Sequence, residues 1–232
     1  MSGTNKFIKE GKVVYTKGAS TPKKLVFAFH GLGDSIPRFF SLLPDEKDVL
    51  YIALQAPEPW HIGFGIKVNY QWCDIGSLWT PNEEKVKAGL YKITPSILDW
   101  IETVRAKHNV SYDNVFVAGF SLGALLSGCL LTTSSHLKNA ILISGAIDPD
   151  LTQSQSGKTV LSIYVNPDTI VPYEKTKEGE KKLKDLGAHV QSLALEDMPS
   201  YEWNRLGKML THMKACYNIE TREKIRDFIT KA

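Results

Sequence analysis

Six short apolar runs constrain this chain more than any other feature. They are KLVFAF (24–29), VLYIAL (49–54), NVFVAGF (114–120), NAILIS (139–144), VLSIYV (160–165) and HVQSLAL (189–195). A strand with one wet face alternates apolar and polar residues, whereas near-continuous Val, Ile, Leu and Phe means burial on both faces. Both faces of such a sheet need helices, and the segments between the runs supply them. Thr94-Pro95 is expected to cap a helix with Ile97, Leu98, Ile101 and Val104 at helical spacing. A second is expected from Ser121, with Leu122, Leu125, Leu126 and Cys129 on one face, a charged third over about 174–186, and a last over Thr221 to Lys231. The expected fold class is a doubly wound α/β domain with a mostly parallel sheet, whose ligands sit at the carboxyl ends of the strands.

The chain of 232 residues has no repeat, low-complexity tract or linker, so residues 1–232 are read as one domain. The region 57–82 has no clear period and holds Trp60, Trp72 and Trp79, and is expected to be an irregular excursion forming a pocket wall.

Composition removes several function classes. A net charge of +3 is too small to point to nucleic acid, and no stretch approaches the roughly 20 apolar residues of a membrane span. Six lysines stand against one glutamate between Lys6 and Lys24, a run read as solvated strand edges and loops rather than a docking surface for a membrane or acidic partner. The start, MSGTNKFIKEGKVVY, has no apolar signal region. Cys73, Cys129 and Cys216 are odd in number and form no CxxC or CxxxH cluster, so neither a disulfide framework nor a metal site is expected. A reducing cytoplasm is the expected location.

The chemistry gathers around GFSLG (119–123). Ser121 follows an expected strand and opens an expected helix, the context a nucleophile elbow needs. The turn is strained, and a Cβ on either side would strike the neighbouring strand or helix. The helix amino end also aims N–H groups where an oxyanion would form. A second piece, FAFHGLGDS (27–35), ends an earlier strand with His-Gly and an apolar residue, resembling the loop that supplies the other oxyanion donor. The two donors are expected to be the backbone N–H groups of Leu32 and Leu122, with His30 structural.

Along the chain such folds order their partners as Ser, acid, His. Asp168, in NPDTIVP just past a strand's carboxyl end, can orient an imidazole and stabilise its charged form; Asp148 and Asp150 are the reserve acids. Two histidines follow Asp168. His189 opens its strand at the opposite sheet edge, and seven strand residues at about 3.3 Å each put it roughly 20 Å away. His212 is therefore the expected base, in a long loop beginning near Met198. Trp72, Phe64 and Trp79 are expected to line an acyl-chain surface, and Cys73 to be a small buried hydrophobe.

Taken in order, FHGLGD (29–34), QAP (55–57), WCD (72–74), GFSLG (119–123), LISG (142–145) and DTIVP (168–172) resemble the phospholipase/carboxylesterase family, the group that includes the acyl-protein thioesterases. The series runs from about Leu25 to Ile229. The resemblance implies an α/β-hydrolase fold and a cofactor-free serine hydrolase, with Ser121, Asp168 and His212 as triad. It implies small acyl esters, lysophospholipids or acylated proteins as substrates, without stable membrane insertion. The chain departs from the family in three places. Leu122 stands where glutamine is usual, Val165 stands where glycine is usual three residues before the acid, and EDMPSYEWNRLGKMLTHMKACYNIE looks like an insertion around the histidine. Two rivals stay open: an inactive hydrolase-fold scaffold, in which His212 would point away from Ser121, and a peptidase or lactone hydrolase with the same machinery. Acyl-chain length, ester or thioester preference, oligomeric state and any lid role for 57–82 are not written in these residues.

Overall fold

The computed structural model of the protein describes residues 5–9, 12–62, 66–77, 80–148, 150–195 and 205–231. The strands are β1 (Asn5–Lys9), β2 (Lys12–Gly18), β3 (Lys24–Phe29), β4 (Val49–Leu54), β5 (Glu58–Ile62), β6 (Ile66–Gln71), β7 (Val115–Phe120), β8 (Asn139–Ile143), β9 (Thr159–Val165) and β10 (His189–Leu195). The helices are α1 (Ile36–Leu42), α2 (Glu83–His108), α3 (Leu122–Thr133), α4 (Tyr173–Asp185), α5 (Arg205–Lys214) and α6 (Ile219–Lys231). Eight strands form one sheet in the order β1-β2-β4-β3-β7-β8-β9-β10. The six apolar runs make its parallel part, and β1 and β2 extend it antiparallel beyond β4.

Alternate side chains of the central strands feed two cores. Leu25, Phe27, Phe29, Val115, Val117 and Leu142 pack against Trp100, Ile101, Leu126 and Leu130 of α2 and α3. Val26, Ala28, Phe116, Ala118, Ile141 and Ile143 pack against Phe39 and Phe40 of α1 and Ile225 and Phe228 of α6. Helices therefore cover both faces, as the continuous apolar runs demand. Only β10 departs from that rule: it is an edge strand with Leu195 alone fully buried, so its apolar content overstated its burial.

Two other expectations are corrected. The helix expected from Thr94-Pro95 begins at Glu83, where the Asn82 side chain caps the Lys85 N–H, and Pro95 lies inside it. An interior proline removes one helical hydrogen bond. Here the buried face of Leu90, Thr94, Ile97, Trp100, Ile101 and Val104 holds the helix through that point, with Thr94 Oγ1 donating to Leu90 O at 2.9 Å. The 57–82 excursion is not irregular throughout. It opens with an antiparallel hairpin, β5–β6, whose register shifts between Trp60 and His61.

From β3 the chain passes to β4 on one side, and from β7 to β8 on the other. That reversal makes a switch point between the carboxyl ends of β3 and β7, where an open α/β sheet leaves a crevice. Phe29 and Gly119 are register partners, so the loop after β3 and the turn after β7 emerge side by side.

Candidate active site

Ser121 stands on the turn between β7 and α3 with φ 53° and ψ −120°, a left-handed φ that a non-glycine residue adopts only under strain. The turn is held on both sides. The Ser121 N–H donates to Ile143 O at 2.8 Å, and the Ser121 carbonyl accepts from Ala124 and Leu125. The flanking glycines are obligatory by contact. A Cβ on Gly119 would lie 2.0 Å from Gly123 O, and one on Gly123 would lie 2.1 Å from Phe29 O. Strand, turn and helix are thus closer than any side chain allows.

The loop after β3 lies directly against this turn: a Cβ on Gly31 would sit 3.4 Å from Ser121 Cβ. His30 builds the loop from within. Its Nδ1–H donates to Gly31 O at 2.7 Å, while Nε2 accepts from Gln55 Nε2 and the Ala56 N–H. Burial pushes the His30 imidazole down to about 4, so it is neutral and structural, as expected. Trp72 is fully buried and donates its indole N–H to His30 O at 2.8 Å. This corrects the expectation for Trp72: it clamps the loop from beneath and does not line the cleft. Phe64 and Trp79, the other two residues expected there, lie outside the described residues.

The β5–β6 hairpin completes the brace. Gly33 N–H donates to Tyr70 O, Asn69 Nδ2 donates to Gly33 O, and Asp34 pairs with Tyr70 in an isolated bridge. Sequence reading missed this support, although the WCD motif beside HGLGD was its trace. The Leu32 side chain reaches the same cleft as Ser121 and Leu122. Leu122 is the first residue of α3, so its N–H has no acceptor within the helix.

Asp168 follows the carboxyl end of β9. Its Oδ1 accepts the N–H groups of Ile170 and Val171 at 2.9 and 3.1 Å. Its Oδ2 accepts Nδ1–H of His212 at 2.7 Å, and both side chains are buried. Those bonds fix the His212 tautomer and leave Nε2 as the basic nitrogen; it is buried and has no hydrogen-bond partner among the described residues. The His212 ring packs on Phe120, the residue before Ser121, with centroids 5.0 Å apart.

His212 lies on α5, not in the loop expected for it. The periodic Leu206, Met209, Leu210 and Met213 were the available signal, obscured by the length of the apparent insertion. The reserve acids are engaged elsewhere: Lys87 bridges Asp148 and Asp150 at 2.9 and 3.1 Å, and Tyr91 also donates to Asp148. His189 opens β10 opposite Thr159, at the far edge of the sheet from Asp168. The cysteines are free thiols away from the turn, and burial raises Cys73 to about 11 and Cys129 to about 12. Among the described residues, no group of three or more His, Cys, Asp or Glu is placed to hold a metal ion.

Ser121 opens into a cleft of about 830 Å³ running between α2 and α3. Leu32, Val86, Leu90, Leu122, Leu125 and Ile147 give it an apolar lining. Charged pairs cross its rim, Lys87 with Asp148 and Asp150, and Lys175 with Glu83. Leu122, where the related pattern has glutamine, adds to the apolar wall.

Comparison with known proteins agrees with this architecture. A phospholipase/carboxylesterase family model matches residues 10–217. Acyl-protein thioesterase 1 of Candida albicans is 27% identical over 135 residues, 54% of this chain and 58% of that protein, so just over half the length of this relative is matched. Among solved structures, esterase PE8 superposes with a TM-score of 0.68 at 20% identity, covering 92% of this chain and 97% of its own. A carboxylesterase from Mesorhizobium loti gives 0.66 at 16% identity, covering 90% and 97%. The chain has the α/β-hydrolase fold and belongs to the phospholipase/carboxylesterase family of ester hydrolases.

Proposed function

We propose that the protein is a serine esterase or acyl thioesterase working through a covalent acyl-serine intermediate. The observation that carries this reading is the buried Asp168–His212 hydrogen bond, which leaves His212 Nε2 beside Phe120 with no hydrogen-bond partner among the described residues. Ser121 is the nucleophile. Its Oγ attacks the carbonyl carbon as His212 Nε2 takes the hydroxyl proton, and Asp168 stabilises the resulting imidazolium. The oxyanion is held by the Leu32 and Leu122 amides; losing one such donor typically costs about 10²–10³ in kcat. Collapse expels the alcohol or thiol, which receives the proton from His212. Water then attacks the acyl-serine with His212 as base, releasing the acid and restoring Ser121.

The cleft supports an apolar acyl chain. From Ser121 to Thr132, both of which line it, α3 rises about 16 Å at roughly 1.5 Å per residue. That length suits an extended acyl group held between Leu90 and Leu125. Small acyl esters, lysophospholipids and acylated proteins share that chemistry. The three free thiols suit a reducing, cytoplasmic setting. The test is a matched series of p-nitrophenyl esters, acyl thioesters, lactones and peptides of graded length. Turnover of esters or thioesters that rises with chain length and vanishes in Ser121→Ala supports the reading. Turnover confined to peptides or lactones reassigns the substrate, and no turnover of any of them moves the protein to an inactive scaffold.

A further inference from the structure

The large hydrophobic side chains exposed among the described residues all fall between 209 and 219: Met209 is 38% exposed, Leu210 48%, Tyr217 45% and Ile219 77%. They bracket His212. On α5 the buried side carries Thr211 and His212, while Met209 and Leu210 project on the outer side with Met213 between them, partly buried. A surface helix ordinarily turns polar residues outward; over 209–212, α5 turns Met209 and Leu210 outward and Thr211 and His212 inward. The charge is one-sided as well. From Arg205 to Lys214, the length of α5, the sequence holds Arg205, Lys208 and Lys214 and no Asp or Glu; the exposed Glu220 follows Ile219 in the first turn of α6. Lys208 lines the cleft that holds Ser121, so the helix reaches from the site to the apolar patch.

We propose that α5 and the turn into α6 form a peripheral docking surface for a lipid bilayer carrying anionic headgroups. Leu and Met on the outward face of α5, a helix whose formally charged residues are all basic, are what an interfacial helix presents to such a surface. The docking is reversible and spans nothing: among the described residues no helix is long and apolar enough to cross a membrane. Its consequence is delivery. A substrate with an apolar chain enters the cleft from the lipid side of α5. That consequence rests on the esterase reading, but binding does not, and the two are measured separately.

The experiment is co-sedimentation of the full chain with phosphatidylcholine vesicles, with and without phosphatidylserine, at low and high salt. Wild type is compared with Leu210→Asp/Ile219→Asp, and turnover of a water-soluble short-chain ester is followed in parallel as a check on folding. The expected result is binding to the anionic vesicles that weakens with salt and falls about tenfold or more in the double variant, with soluble turnover unchanged. Absence of wild-type binding, or equal binding by the folded variant, overturns the proposal. A wild-type dimer in sedimentation that the same variant dissociates, without vesicle binding, also overturns it and assigns the face to a second copy of the chain. Vesicle binding without turnover of any ester would uphold the surface and sink the esterase reading.

Discussion

His212 Nδ1 lies 2.7 Å from Asp168 Oδ2 in a buried setting, while the other Asp168 oxygen accepts two backbone N–H groups. The carboxylate is therefore fixed by the turn before it meets the imidazole, and it dictates which ring nitrogen carries the proton. Asp168→Asn would offer an amide in place of one acceptor and permit the wrong tautomer. The expected result is a fall in kcat of about 10⁴ with a circular dichroism spectrum like wild type. A loss of less than about tenfold would remove Asp168 from its proposed role.

The elbow makes a stability prediction that does not depend on chemistry. A methyl at Gly123 would be driven to 2.1 Å from Phe29 O, and one at Gly119 to 2.0 Å from Gly123 O. Backbone atoms on both sides leave neither residue room to move. Gly119→Ala and Gly123→Ala are each expected to cost more than about 4 kcal/mol or to prevent folding, as urea unfolding would register.

His30 predicts an acid limb in stability. Its folded value, about 4, lies below the ordinary 6.5, and desolvation is the main cause. The unfolded state then binds a proton that the folded state refuses. The associated stability is fully present above about pH 6.5 and is lost as pH falls towards 4, a total of about 3 kcal/mol. In His30→Gln, a neutral replacement able to hydrogen-bond, the slope of unfolding free energy over that window is expected to flatten by up to one proton.

The cleft predicts a length effect. Leu125 lines it one helical turn beyond Ser121. Leu125→Trp is expected to reduce kcat/KM for a long-chain ester by about tenfold or more and to leave an acetate ester within about twofold. Equal losses for both would mean that the acyl chain lies elsewhere.

These residues also mark where the sequence was readable and where it was not. Continuous runs such as KLVFAF and VFVAGF exposed the parallel sheet because burial on two faces leaves no polar alternation to hide it. Gly119 and Gly123 exposed the turn because only glycine fits that approach. The antiparallel β1 and β2, and the β5–β6 hairpin, carried no such continuous signal. Pro95 concealed the first half of α2, since tertiary burial of Leu90 and Thr94 outweighs a local helix breaker. Trp72 read as a ligand surface because an aromatic residue near a site looks the same in sequence whether it faces a cleft or props up a loop. Only its hydrogen bond to His30 O separates the two. The helix carrying His212 was obscured by the long segment before it, and its outward apolar face has no meaning until burial is known.

The proposed mechanism requires Ser121 to be an activated nucleophile with His212 as its base. The most direct test is intact mass after treatment with a fluorophosphonate, on wild type, Ser121→Ala and His212→Ala. A single adduct is expected on wild type, none on Ser121→Ala, and labelling of His212→Ala slowed by about 10³ or more. No adduct on wild type, or an adduct that survives in Ser121→Ala, would contradict it.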